Sequence, residues 1–388
     1  MVDISRIQQY LEENGLDAVI ATEPLTTSYL KNLCSLDHVT MDFTNHPTFP
    51  VFPRHGDPFI IDYMSWNPPP EVRPSWIKQY YPGQGSGLLG LEKNLVELAG
   101  ALHEHGLQQA RLGIDLDFFP VTAFHWLQEL MPNVDFVNAQ SLFWQLRAVK
   151  SERELGFIRR AVEASEKAFL EVVKSAGEGA SVRELGRVFA RAVFGPGTEY
   201  RWCSVLSLQP EWFEQPPRAA NAYFSPDYRL RRGESAAVCF DMGVACEGYI
   251  SDMARALYVG QAPPELEARF EFHRVVQRIV SALLKPGMSA REVWQACHEA
   301  FKRELGDDYT SLLGLPGIPF AGLHGVGLAA HERPYVSFQE PLKAHDEDVH
   351  FEINTVFTIE PGCTEDMYVL ADSGPKRLTT LPLQLYCV

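Results

Sequence analysis

Two stretches of this chain open alike: GASVRELGRVFARAVF (179–194) and GMSAREVWQACHEAF (287–301). Each carries a glycine, a Ser-x-x-Glu helix start (Ser181 with Glu184, Ser289 with Glu292) and then an apolar helix face. A serine followed three residues later by glutamate satisfies two orphan donors at a helix N-terminus, so both stretches should begin helices. Each follows a long helical pattern and precedes β-rich sequence. The expectation is a unit of two similar αα-then-β halves related by a pseudo-twofold axis. Good helix starts also resemble one another for purely local reasons, so this pair alone leaves the repeat open. It still constrains function, because the β-rich segments after the two copies carry all the candidate metal ligands.

Upstream the texture differs. From Arg6 to about Val149, helical patterns such as RIQQYLEENGL alternate with the short apolar runs DAVIAT, PFIIDYM and RLGIDL, with a further helix near 94–106. That alternation predicts a small α/β domain. At RAVKSERELGFIRRAVEASEKAFLEVV a long amphipathic helix begins, with Ser151 and Glu154 as its capping box. The expected division is residues 1–148 and 149–388, as the 388-residue length allows.

Composition excludes several partners. A formal charge of −16 argues against nucleic-acid backbones and anionic membranes, which select clustered Lys and Arg. The seven cysteines form no CxxC pair, as expected of a reduced compartment and not of a disulfide framework or zinc finger. The N-terminus opens on an amphipathic helix, and no run approaches eighteen apolar residues, so a soluble cytoplasmic protein is expected.

The chemistry gathers in three segments. In AAVCFDMGVACEGYISDMARALYVG a hairpin turning at Cys246–Glu247 would set Asp241 opposite Asp252. Two carboxylates side by side are destabilising unless protonated or neutralised, and a hard divalent cation is the usual answer. In HFEINTVFTIEPGCTEDMYVLAD a type II′ turn at Gly362–Cys363 would set Glu360 opposite Glu365. In FAGLHGVGLAAHERP, His324 and His331 are seven apart; on a strand they would point to opposite faces and do different jobs. Each of these patterns also occurs as ordinary solvent-facing turns or core histidines.

Taken together, FDMGVACEGYISDMAR, HGVGLAAHERP and TIEPG, in that order behind the junction LRAVKSERELGFIRRA, resemble the pita-bread metallopeptidases, a family of Xaa-Pro aminopeptidases, prolidases, methionine aminopeptidases and creatinases. The resemblance covers nearly the whole chain. It implies an α/β creatinase-like N-terminal domain and an α+β pita-bread catalytic domain. It also implies two divalent ions (Mn, Fe, Co or Zn) bound by Asp241, Asp252, His324, Glu360 and Glu365, with Asp252 and Glu365 bridging. Glu360 would be the general base that activates a water, and His331 the group that stabilises the reacting carbonyl or leaving group. A homodimer is the expected assembly.

Two departures from the family pattern bear on the substrate. Tyr223 stands where relatives carry a substrate-binding histidine, and the hairpin between Glu360 and Glu365 is much shorter than usual. The leading expectation is a binuclear hydrolase cleaving a C–N bond, most simply in an Xaa-Pro dipeptide. The alternatives are creatinase-like amidine hydrolysis, a lyase reaction like that of the dimethylsulfoniopropionate lyases of this fold, and a non-catalytic binder. His38, His46, Trp66 and Trp76 could line a partner subunit's site, or could be loop and core residues.

Overall fold

The computed structural model describes residues 4–31, 47–62, 76–84, 87–195, 197–208, 220–221, 229–233, 237–311, 313, 321–339 and 349–388. The chain divides into two compact units, Met1–Arg147 and Ala148–Val388.

The first unit runs α1 (Ile4–Glu13), β1 (Ala18–Ile20), α2 (Pro24–Lys31), β2 (Thr48–Pro53), β3 (Phe59–Asp62), β4 (Gln79–Pro82), α3 (Gly87–Glu104), β5 (Arg111–Ile114), α4 (Val121–Leu130), β6 (Asp135–Asn138) and α5 (Gln140–Ala148). Its strands form one sheet in the order β4-β3-β2-β1-β5-β6, antiparallel at β1–β2 and β2–β3 and parallel elsewhere. Both faces are covered, one by a cluster that includes Leu95, Leu98 and Leu102 of α3, the other by one that includes Leu11 of α1 and Phe143 of α5. β2 lies in a stretch with no strand signal, because TFPVFP carries two prolines and proline is ordinarily confined to sheet edges. Here Pro50 gives up its donor but its carbonyl still accepts from Ala21 N. Trp76 is a core residue stacked on Phe52 at 4.7 Å, not a site-lining one. His38, His46 and Trp66 lie outside the described residues.

The second unit repeats one order of elements. Its first half is α6 (Glu152–Ser175), α7 (Val182–Val193), β7 (Thr198–Leu208), β8 (Ala220–Asn221), β9 (Ala237–Cys246), β10 (Tyr249–Ile250) and β11 (Met253–Tyr258). Its second half is α8 (Pro264–Leu283), β12 (Met288–Ser289), α9 (Ala290–Leu305), β13 (Gly322–Gly325), β14 (Glu332–Ser337), β15 (His350–Phe351), β16 (Val356–Glu360), β17 (Asp366–Ala371) and β18 (Gly374–Arg377); β19 (Leu385–Cys387) returns to pair with β11. The sheets are β19-β11-β9-β7-β8 and β14-β13-β16-β17-β18. Each packs its two helices over one apolar face, with Phe169 and Phe189 in one core and Val280 and Phe301 in the other. Ser289 and Glu292 form the complete capping box; at Ser181 only the serine half is made, since Glu184 turns to Arg187.

An isolated bridge joins the sheets. Ala254 N donates to Glu365 O and Glu365 N to Ala254 O, at 3.3 and 3.2 Å. This seam brings the loops of both halves to one place.

Candidate metal centre

The β9–β11 hairpin turns one residue later than its sequence suggested. Cys246 pairs with Tyr249 across Glu247–Gly248, whose φ values of 50° and 82° are the two positive angles of a type I′ turn. Asp241 therefore sits opposite Ala254 and not Asp252. The pairing has moved by two residues, and a two-residue shift preserves side-chain parity. Asp252, just ahead of β11, still presents its carboxylate beside that of Asp241.

On β16 and β17 the register is as expected. Val356 pairs with Val369 and Ile359 with Asp366, so Glu360 and Glu365 face each other across the four residues Pro361–Thr364. Gly362 has a positive φ of 154°, far from the roughly 60° that the first central position of a type II′ turn takes, so the tip is an open bend. The neighbouring Asp366 is spent on structure, its Oδ1 accepting from Arg255, Arg377 and Thr379.

The two histidines converge instead of pointing apart. His324 lies on β13, the chain reverses over 326–331, and His331 returns just before β14 with its ring edge-on to His324, centroids 4.4 Å apart. Opposite faces would follow only from one continuous strand, and this segment is a hairpin. The reversal is held by Glu332, which sequence reasoning gave no role. Its Oε1 accepts from Leu328 N and Ala329 N, and its Oε2 is 3.3 Å from Lys150 Nζ, with both side chains buried. Gly327 makes room for this pair, because a Cβ there would stand 2.5 Å from Glu332 Oε2.

The result is one buried acidic pocket. His324 Nε2 is 3.3 Å from Glu365 Oε1, 3.9 Å from Glu360 Oε2 and 4.0 Å from Asp252 Oδ2. Three groupings bring their ligand atoms within 4.8 Å of one another: Asp241, Asp252 and Glu365; His324, Glu360 and Glu365; and Asp252, His324 and His331. Tyr223 lies outside the described residues. Burial first, and the neighbouring carboxylates second, raise Asp241 to about 7 and hold Asp252 and Glu360 well above the usual carboxylate range. Burial, with His324 adding to it, lowers His331 to about 4.

This pocket fits a hard or borderline divalent cation. Among the described residues no donor reaches the buried Glu365 Oε1, an expensive state for a carboxylate unless a cation faces it. Four carboxylates and an imidazole are a donor set suited to such ions. One carboxylate has a further partner that the sequence did not signal: Trp202 Nε1 donates to Asp241 Oδ1 at 2.9 Å.

Comparisons with known proteins agree with this architecture. Residues 4–149 match the creatinase/prolidase N-terminal domain, and residues 156–375, more than half of the chain, match metallopeptidase family M24. The chain is 24% identical over 397 residues to an Xaa-Pro dipeptidase of Lactobacillus delbrueckii subsp. lactis, covering 97% of this chain and 96% of that protein. It is 28% identical over 261 residues to an Xaa-Pro dipeptidase of Pyrococcus furiosus, covering 65% of this chain and 68% of the relative. A solved dipeptidase from Pyrococcus horikoshii OT3 superposes with a TM-score of 0.75 at 20% identity, covering 99% of both chains. Among the described residues no helix is long and apolar enough to cross a membrane. The chain belongs to metallopeptidase family M24, a metal-dependent hydrolase with a creatinase/prolidase N-terminal domain and a pita-bread catalytic domain, similar to the Xaa-Pro dipeptidases.

Proposed function

We propose that this chain is a dipeptidase acting on Xaa-Pro substrates through two divalent ions held by Asp241, Asp252, His324, Glu360 and Glu365. The observation that carries this reading is the convergence of four carboxylates and His324 in one buried pocket. Asp252, His324 and Glu365 each belong to two of the three groupings; of these only a carboxylate has two oxygens to offer to two ions, which supports Asp252 and Glu365 as the shared ligands. When bound, the ions supply Lewis acidity, lowering the pKa of a water and offsetting charge on the scissile carbonyl. Glu360 is the most exposed of the carboxylates facing His324, at 20%, so it is the one best placed to take a proton from water and carry it to the leaving nitrogen. His331, open to solvent on one side but desolvated where its ring packs against His324, is held neutral by its low pKa and would donate an N–H to the substrate carbonyl without competing as a charge. The Xaa-Pro preference rests on the named relatives.

The test is metal analysis of purified protein, followed by turnover assays on Xaa-Pro dipeptides, small amidines and sulfonium compounds. Proline release with two metal equivalents bound supports the proposal. Turnover confined to an amidine or sulfonium substrate would replace the peptidase reading while keeping the metal centre, and absence of metal and turnover would leave a binder of the same fold. Light scattering of the same sample tests the homodimer.

A further inference from the structure

The hydrogen bond from Trp202 to Asp241 depends on three local features. β7 and β9 pair Ser204 with Asp241, Cys203 with Met242 and Trp202 with Gly243, but Tyr200 with Val244, so Arg201 is an extra residue bulged out of the ladder. A bulge turns the strand and re-aims the side chain beside it. Trp202 is that side chain. Its partner across the ladder is Gly243, and a Cβ at Gly243 would stand 2.1 to 2.4 Å from three carbons of the six-membered ring of the indole. The ring thus occupies the space that a side chain at Gly243 would fill. In that position Nε1 reaches Asp241, which is two residues from Gly243 and on the same face of the strand.

We propose that Trp202 is a positioning residue for the metal centre: its indole N–H fixes the Asp241 carboxylate and thereby sets the affinity of the ion that Asp241 serves, leaving the ion on the His324 side largely untouched. The physical basis is general. A ligand carboxylate that is free to rotate must be ordered by the metal at the metal's expense, whereas one already held by a donor presents its remaining lone pairs in a fixed direction. Because Oδ1 is engaged by the indole, Oδ2 is the oxygen left fully available to a cation. The two metal positions should therefore differ in affinity, with the Asp241 side sensitive to a side chain that touches no ion itself.

This inference rests on the metal-centre reading, and the experiment separates the two. Mn²⁺ or Co²⁺ is titrated into chelator-treated full-length protein by calorimetry, for wild type, Trp202→Phe, Gly243→Ala and Asp241→Asn. Trp202→Phe keeps most of the ring and deletes the N–H, whereas Gly243→Ala keeps the N–H and evicts the ring. Both should weaken one of the two binding steps about 10- to 100-fold while the other step moves by less than about threefold. Asp241→Asn should abolish the same step. If wild type binds two ions and both steps of Trp202→Phe match wild type, the positioning role is overturned and the metal centre stands. If wild type binds no ion, the metal centre itself fails. Should Gly243→Ala not fold, Trp202→Phe decides alone, with near-ultraviolet circular dichroism as its folding check; equal weakening of both steps would mean a general structural effect and also overturn the proposal.

Discussion

His324 Nε2 and Glu365 Oε1 lie 3.3 Å apart, both buried, one from β13 and one from the seam ahead of β17. As proposed ligands they should not be equivalent to remove. His324→Ala deletes the imidazole and should empty the His324 side. Glu365→Gln removes charge from a group shared by both positions and should leave about one equivalent where wild type binds two. Elemental analysis after gel filtration reads both. A Glu365→Gln protein with two tightly held ions would show that Glu365 is not a shared ligand.

His331 should separate chemistry from binding. His331→Ala should keep its metal content and lose turnover by about 10²-fold or more, as expected for a side chain that stabilises a developing charge. Steady-state kinetics with parallel metal analysis measures this. Because His331 adjoins Asp252 and His324 as well as the pocket mouth, loss of metal in this variant would make it a ligand instead.

The buried carboxyls give the metal-free protein an inverted pH response. A carboxyl whose folded pKa is raised contributes its stability fully below the unfolded value near 4, and that stability is lost as pH rises through the folded value. For Asp241 the folded value is about 7, and Asp252 and Glu360 move in the same direction. The Tm of chelated protein should therefore fall between pH 5 and pH 8. Added Mn²⁺ must displace those protons, so the Tm increase it brings should grow over the same interval. Thermal scans at four pH values with and without metal test both slopes, and a flat metal-free Tm would mean that the carboxyls are not held protonated.

Lys150 and Glu332 are a buried ion pair under the turn that returns His331. Lys150→Met would strand the Glu332 charge and should cost about 3–5 kcal/mol. Adding Glu332→Gln should recover a large part of that loss, since the stranded charge is then gone. Turnover should recover in step with stability in the double variant, because a glutamine amide oxygen can still accept from Leu328 N and Ala329 N. Denaturant unfolding and a double-mutant cycle give the coupling energy; additive losses would mean the two side chains act independently.

Periodicity and capping made the long helices of the second unit readable, because Ser151–Glu154 and Ser289–Glu292 satisfy donors within a few residues of themselves. Hairpin register was readable only where the turn chemistry was unambiguous about parity. The β16–β17 register came out as expected, whereas the Asp241 hairpin slipped by two because Glu247 and Gly248, not Cys246 and Glu247, occupy the two turn positions. β2 was hidden by its prolines. The Trp202 and Lys150 contacts were invisible for a different reason. One depends on a bulge and a missing Cβ on the neighbouring strand, and the other spans 182 positions, so neither has a local signature.

The seam between Ala254 and Glu365 has a consequence for how this enzyme could be cut. The first half of the catalytic unit brings Asp241 and Asp252, and the second brings His324, Glu360 and Glu365, with the two backbone hydrogen bonds of the seam beside them. A gene split between Tyr258 and Pro264 would yield two fragments that each keep a helix pair and most of a sheet, and each would hold only part of the cation site. Their reunion should depend on metal, so that a chelator dissolves the complex and Mn²⁺ restores it. In that form the proposed ligand set would be an adhesive between two polypeptides as well as a catalytic centre.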